Sequence, residues 1–154
     1  KLICEDILKK DASDTMGAAC GGYGKAWVKL VEQWYQVFTA LDYLNNEKGM
    51  AIILLAHSRV NTVLNPMGED YDRYTLTLHD SKSVSSANKV VEWADAVLFV
   101  NYEMFVKKDQ KKARGTGKRI MYTEERPAFR AKNRFNLPAE MPFNYAELEK
   151  EIKK

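Results

Sequence analysis

The sequence predicts an α/β fold: parallel central strands flanked by helices, with an antiparallel hairpin at the sheet edge. Three observations carry that expectation. Trp27, Leu30, Val31, Trp34, Phe38 and Leu41 recur at helical spacing on one face. Met50 to Ala56 form a run without a polar side chain, the pattern of a parallel strand covered on both faces. A second helix-then-strand pair, "SVSSANKVVEWA" followed by "DAVLFVNYEMFV", repeats the alternation. A right-handed crossover would join the two strands.

Taken in order, Leu2, Ile3, Ile7 and Leu8 make a short helical stripe over residues 1–10. The Gly-, Ala- and Asp-rich stretch 11–24 reads as a loop. The helix of 25–46 ends at "NNEKG", with Gly49 as its C-terminal breaker. Its Trp and Tyr residues suit core packing better than stacking on bases. The strand of 50–57 follows, then a long polar loop over 58–83, a length typical of functional segments. Residues 84–94 form a helix with Ser83 or Ser85 as N-cap. A strand over 95–106, a basic turn over 107–119 and a return strand over 119–125 make the hairpin. After a Pro-punctuated extended stretch, Asn144 caps a terminal helix over 144–153.

A length of 154 residues fits one domain, and a hydrophobic fraction of 45% supports a core. The net charge of +3 does not by itself argue for nucleic acid. Its distribution does more. Residues 101–134 hold eleven Lys or Arg against four Asp or Glu, a local excess of seven positive charges. The two cysteines, Cys4 and Cys20, have no metal or redox spacing, so a reduced cytoplasmic setting is expected. No run reaches the roughly 18 apolar residues of a membrane helix. The chain opens on an amphipathic pattern without an initiator Met, so it is expected to begin inside a longer polypeptide.

Several side chains are candidates for chemistry. His57 stands where the apolar run ends, at the sheet edge where open parallel sheets bind ligands, although a polar strand end is also ordinary. Adjacent Ser58 cannot easily pair with it as a nucleophile, because neighbouring strand residues face opposite ways. Lys132 and Arg134, two apart in an extended segment, point the same way and suit a polyanion. They could equally blunt an exposed strand edge. Lys107, Lys108, Lys111, Lys112, Arg114, Lys118 and Arg119 surround the hairpin tip and suit phosphate contacts without base reading. Tyr102, Phe105 and Tyr122 lie beside them as stacking groups, unless the tip is only solvated. His57, His79, Asp70, Asp72 and Asp80 have no metal-ligand spacing, so no metal site is assigned. Asp95 reads as structural, at the handover from helix to strand.

Three segments together resemble the RecA-like branch of P-loop ATPases: "AIILLAHSRV", "VVEWADAVLFV" and "FRAKNRF". The resemblance is nearest to phage ATP-binding proteins of single-strand annealing or recombination. It implies a partial RecA-like core, using ATP and Mg2+, that acts on single-stranded DNA as a homo-oligomer with shared active sites in the host cytoplasm. It also implies roles for individual residues. His57 would sense the γ-phosphate at the strand tip. Arg59 would lie in a DNA-contacting loop running to about Ser83. Lys132 and Arg134 would reach the nucleotide of a neighbouring subunit. The chain departs from that pattern in two places. It has no G-x-x-x-x-G-K-[ST], since "GGYGKAW" has the wrong spacing and no strand before it, and it has no strand ending in the Mg2+-binding Asp. The chain therefore resembles the C-terminal portion of such an ATPase. The alternatives are a non-catalytic nucleic-acid-binding α/β module and, less favoured, a metal-dependent nuclease.

Overall fold

A computed structural model describes residues 1–105 and 114–154. The chain divides into two compact units.

The first unit comprises Lys1–His57 and Leu76–Trp93. Helix α1 (Leu2–Asp11) ends at Ala12, which takes a left-handed φ of 53°. A short 3-10 turn at Ala19–Gly21 leads to the long helix α2 (Lys25–Lys48). Gly49, at φ 63°, terminates α2. Its amide and that of Met50 donate to the carbonyls of Asn45 and Leu44, closing two otherwise open acceptors. Ile7, Met16, Ala19, Ala26 and Leu30 form the core between α1 and the start of α2. Helix α3 (Ser86–Trp93) is capped by Ser85, whose hydroxyl accepts from the Asn88 amide at 2.9 Å.

The aromatic stripe of α2 is used in packing. Phe38 stacks on Trp93 with centroids 4.9 Å apart, and Trp27 stacks on His79 at 3.7 Å. The indole of Trp93 donates to Asp42 on α2, so its polar edge is satisfied as its ring is covered.

The second unit comprises Ser58–Thr75 and Ala94–Lys154. Strands β1 (Ser58–Val63) and β2 (Tyr71–Leu76) pair as a two-stranded sheet. The His57 carbonyl accepts from Thr77, and the Thr62 hydroxyl donates to Asp72, so the strands run in opposite directions. Asn65 builds the turn between them. Its side chain accepts from Met67 and donates to the Glu69 carbonyl, while its amide donates to Asp70.

Strand β3 (Ala96–Val97) pairs antiparallel with β6 (Lys132–Asn133). Strands β4 (Phe99–Phe105), β5 (Arg114–Tyr122) and β7 (Glu140–Pro142) form an antiparallel three-stranded sheet in that order. Under it lie Met121, Phe129, Ala131, Leu137 and Met141. Phe129 stacks on Phe99 at 4.5 Å and contacts Tyr122 at 4.9 Å. Arg73 on β2 pairs with Glu125 and donates to the carbonyls of Arg126 and Phe129, which pins that loop. Helix α4 (Tyr145–Ile152) starts at Asn144, whose side chain accepts from the Ala146 amide at 2.9 Å.

Four expectations need correction. Residues 50–57 carry no strand assignment, and among the described residues no hydrogen bond reaches Ala51 to Ala56. A strand exists only as one of a pair, and this apolar run has no paired neighbour. The polar loop expected over 58–83 instead contains β1 and β2, whose alternation and central Asn turn are hairpin signals. Among the described residues the sheets are antiparallel, where parallel pairing of the central strands was expected. An isolated parallel bridge joins Tyr74 to Phe129. The return strand starts at Arg114 and ends at Tyr122, so Lys118 and Arg119 lie on a strand rather than in a turn. The irregular register opposite Tyr102–Met104 absorbs the extra residues of the Gly-Thr-Gly segment.

Candidate functional site

The strongest local organisation around candidate residues is at β6. Asn133 lies between Lys132 and Arg134 and faces inward. Its carboxamide donates to the Leu137 carbonyl at 2.9 Å and to the Thr123 hydroxyl at 3.4 Å. Its oxygen accepts from the amides of Phe135 at 3.2 Å and Leu137 at 3.0 Å. Thr123 is fully buried and donates to the Pro138 carbonyl at 2.8 Å. Arg134, one residue past the end of β6, is exposed, whereas Lys132 is half-buried and lines the same depression as Asn133 and Thr123. The cations flank a residue that its own hydrogen bonds hold in place.

Each cation also has acidic company. Arg134 Nη1 lies 2.9 Å from Asp95 Oδ1, and both side chains are exposed. The bond leaves most of the five guanidinium donors of Arg134 available. Lys132 is half-buried and lines an open depression of about 470 Å3 with Thr123, Glu124, Glu125, Asn133, Asn136 and Leu137. Glu125 is engaged by Arg73.

His57 belongs to the first unit and is exposed; its carbonyl continues the β1–β2 pairing through Thr77. Arg59 lies exposed on β1. Lys118 and Arg119 are exposed on β5, and Arg114 begins that strand. Lys107, Lys108, Lys111 and Lys112 lie outside the described residues. Arg119 stands opposite Tyr102 on β4, donates to its hydroxyl at 3.0 Å and sits 5.1 Å from its ring centroid.

The glycine-rich segment does not form a phosphate cradle. Gly21, Gly22, Tyr23 and Gly24 all have positive φ, and a 3-10 turn rather than a strand leads into them. The amides of Lys25 and Trp27 donate to the segment's own carbonyls, Gly22 and Gly24. The residues grouped as possible metal ligands are employed elsewhere. Asp70 and Asp72 bond within the β1–β2 hairpin, and His79 packs on Trp27. Among the described residues no group of three or more His, Cys, Asp or Glu is placed to hold a metal ion. Asp11 is the clearest electrostatic feature of the first unit. Hydrogen bonds from the Ser13 hydroxyl and the Cys20 amide hold its carboxyl below the usual range.

Asn133 and Thr123 were not singled out by sequence reasoning. The available signal was the position itself, a polar residue between two cations at the end of an extended segment.

No helix among the described residues is long and apolar enough to cross a membrane. No curated protein and no solved structure matches the chain. A family model described as an AAA domain matches residues 1–135, most of the chain, which therefore belongs to that family of ATPase-like, nucleotide-binding domains.

Proposed function

We propose that the chain is the nucleotide-responsive and DNA-engaging part of an ATPase. It would act on single-stranded DNA as a homo-oligomer, in phage recombination or replication. The observation that carries this reading is the placement of Lys132 and Arg134 on either side of the hydrogen-bonded Asn133 at the end of β6, within a chain of the AAA family. Two cations flanking a residue held by four side-chain hydrogen bonds suit a polyphosphate that is brought to them. In this reading ATP and its metal are held by groups outside the described residues. Bound ATP supplies the phosphoryl group. In this reading His57 contacts the terminal phosphate, and Lys132 and Arg134 stabilise charge on a neighbouring subunit's nucleotide. Arg59, Lys118, Arg119 and the rest of the basic cluster grip the DNA backbone.

A second reading has a specific observation in its favour. Asp95 already engages Arg134, and Glu124 and Glu125 share the depression with Lys132. A non-catalytic nucleic-acid module, with β6 serving only structure, would need nothing more of these cations.

The test uses the full-length protein with Lys132→Ala and Arg134→Ala together. Loss of turnover on the order of a thousandfold with ATP binding retained is expected. Mixing this variant with one impaired in the phosphate loop should restore activity, because mixed junctions rejoin intact halves. Near-normal turnover in the double variant refutes the shared site and leaves the second reading.

A further inference from the structure

We infer that Tyr102 and Arg119 form a base-stacking platform for single-stranded DNA, a reading that rests on the DNA-directed function proposed above. The two residues face each other across the β4–β5 ladder. One guanidinium both donates to the Tyr102 hydroxyl at 3.0 Å and lies 5.1 Å from the ring centroid. Despite this brace Tyr102 stays 49% exposed, which leaves the residue accessible to a ligand. An aromatic ring held by its partner loses little freedom on binding.

The surroundings favour a nucleic acid over an apolar partner. Arg119 has no carboxylate partner among the described residues, and Lys118 beside it is also exposed. Along the sequence, residues 101–122 carry seven Lys or Arg and two Asp or Glu, with Lys107, Lys108, Lys111, Lys112 and Asp109 outside the described residues. Such an excess attracts phosphates without reading sequence. The stacking surface selects single strands, because bases in a duplex are already stacked. The ladder changes register directly after Tyr102, and Gly117 takes a φ of 77° there with open space where a Cβ would sit. A bulge bends a strand and re-aims its side chains. Here it lies immediately beside the proposed platform.

The experiment measures fluorescence anisotropy of the intact chain with three probes of equal length: a labelled oligo-dT, an abasic phosphodiester and a duplex. The native chain should prefer oligo-dT to both others. Tyr102→Ala should weaken oligo-dT binding about tenfold, the loss of one stacked base, and leave the abasic probe unaffected. Its salt dependence should stay that of the native chain. Arg119→Ala should weaken both probes and flatten the salt slope by roughly one unit. Tyr102→Phe, which keeps the ring and loses the hydroxyl brace, should fall between native and Tyr102→Ala. Equal affinity of native and Tyr102→Ala chains for oligo-dT overturns the platform but leaves DNA binding standing. No preference of the native chain for oligo-dT over the abasic probe also overturns it. Failure of the native chain to bind any probe overturns the platform and the DNA-directed reading together.

Discussion

Arg134 and Asp95, 39 positions apart, meet twice: side chain to side chain at 2.9 Å, and Arg134 amide to Asp95 carbonyl at 3.2 Å. The second contact continues the β3–β6 ladder by one residue. Asp95 thereby fixes where the Arg134 guanidinium starts from, whatever that guanidinium later touches.

Both members of the ion pair are more than half exposed, at 57% and 61%, so water screens it. Asp95→Asn is expected to cost less than about 1 kcal/mol, since the backbone contact survives. A urea midpoint close to the native one checks this. A loss above about 2 kcal/mol would mean that the carboxylate supports something besides Arg134.

Asn133 presents the opposite case. Its carboxamide makes four bonds to the Thr123 hydroxyl and the 135–137 backbone, and Thr123 and Leu137 are buried. Asn133→Ala leaves the Leu137 amide and carbonyl without these bonds, while Thr123 keeps its bond to the Pro138 carbonyl, and each unpaired buried group costs about 1–3 kcal/mol. The expected destabilisation is about 2–4 kcal/mol, read as a lowered urea midpoint. Asn133→Asp keeps the two accepted bonds but sets a carboxylate oxygen against the Leu137 carbonyl, so its midpoint should also fall well below the native one.

Asp11 gives a pH signature. Its carboxyl is held below the ordinary value by the Ser13 hydroxyl and the Cys20 amide. A depressed folded value means that the unfolded chain takes up the proton first as pH falls. The stabilisation is therefore complete above the ordinary carboxylate value of 3.8 and disappears as pH drops through the lower folded value. Amide exchange at Cys20 should accelerate in that acid window, beyond the intrinsic pH trend. Asp11→Asn should remove the transition. An unchanged profile in the variant would assign the acid opening to another group.

What was legible in the sequence was local. The end of α2 at Gly49 and the start of α4 at Asn144 follow from residue chemistry within a turn, and both caps make the expected bonds. The aromatic stripe of α2 gave its buried face, down to Phe38 at 4% exposure. The β1–β2 hairpin was missed because Asn65, Asp70 and Gly68 read as loop composition, although the flanking residues alternate. The Arg134–Asp95 pair and the Asn133–Thr123 bond were not legible, since neither partner specifies a contact 39 or 10 positions away. At the candidate site, the positions of Lys132 and Arg134 were readable and the residue that braces them was not.

The largest disagreement concerns residues 50–57, and it leads to the last prediction. The composition is that of a strand buried on both faces, yet Ile53 is 62% and Leu55 94% exposed, without hydrogen bonds to hold the backbone. Side chains this exposed contribute little to folding, whatever their hydrophobicity. Ile53→Thr with Leu55→Lys should therefore change the stability of the chain by about 0.5 kcal/mol or less. It should also lower binding of a hydrophobic dye and raise solubility, because an unpaired apolar run invites association. Urea melts and dye titrations at several protein concentrations separate the possibilities. A cost of about 2–4 kcal/mol, the range for truncating a buried Leu or Ile, would mean that the segment is covered in solution. If that cost grew with protein concentration, the cover would be a second copy of the chain. If it did not, the cover would come from within the same copy, and the exposure of Ile53 and Leu55 described above would be wrong.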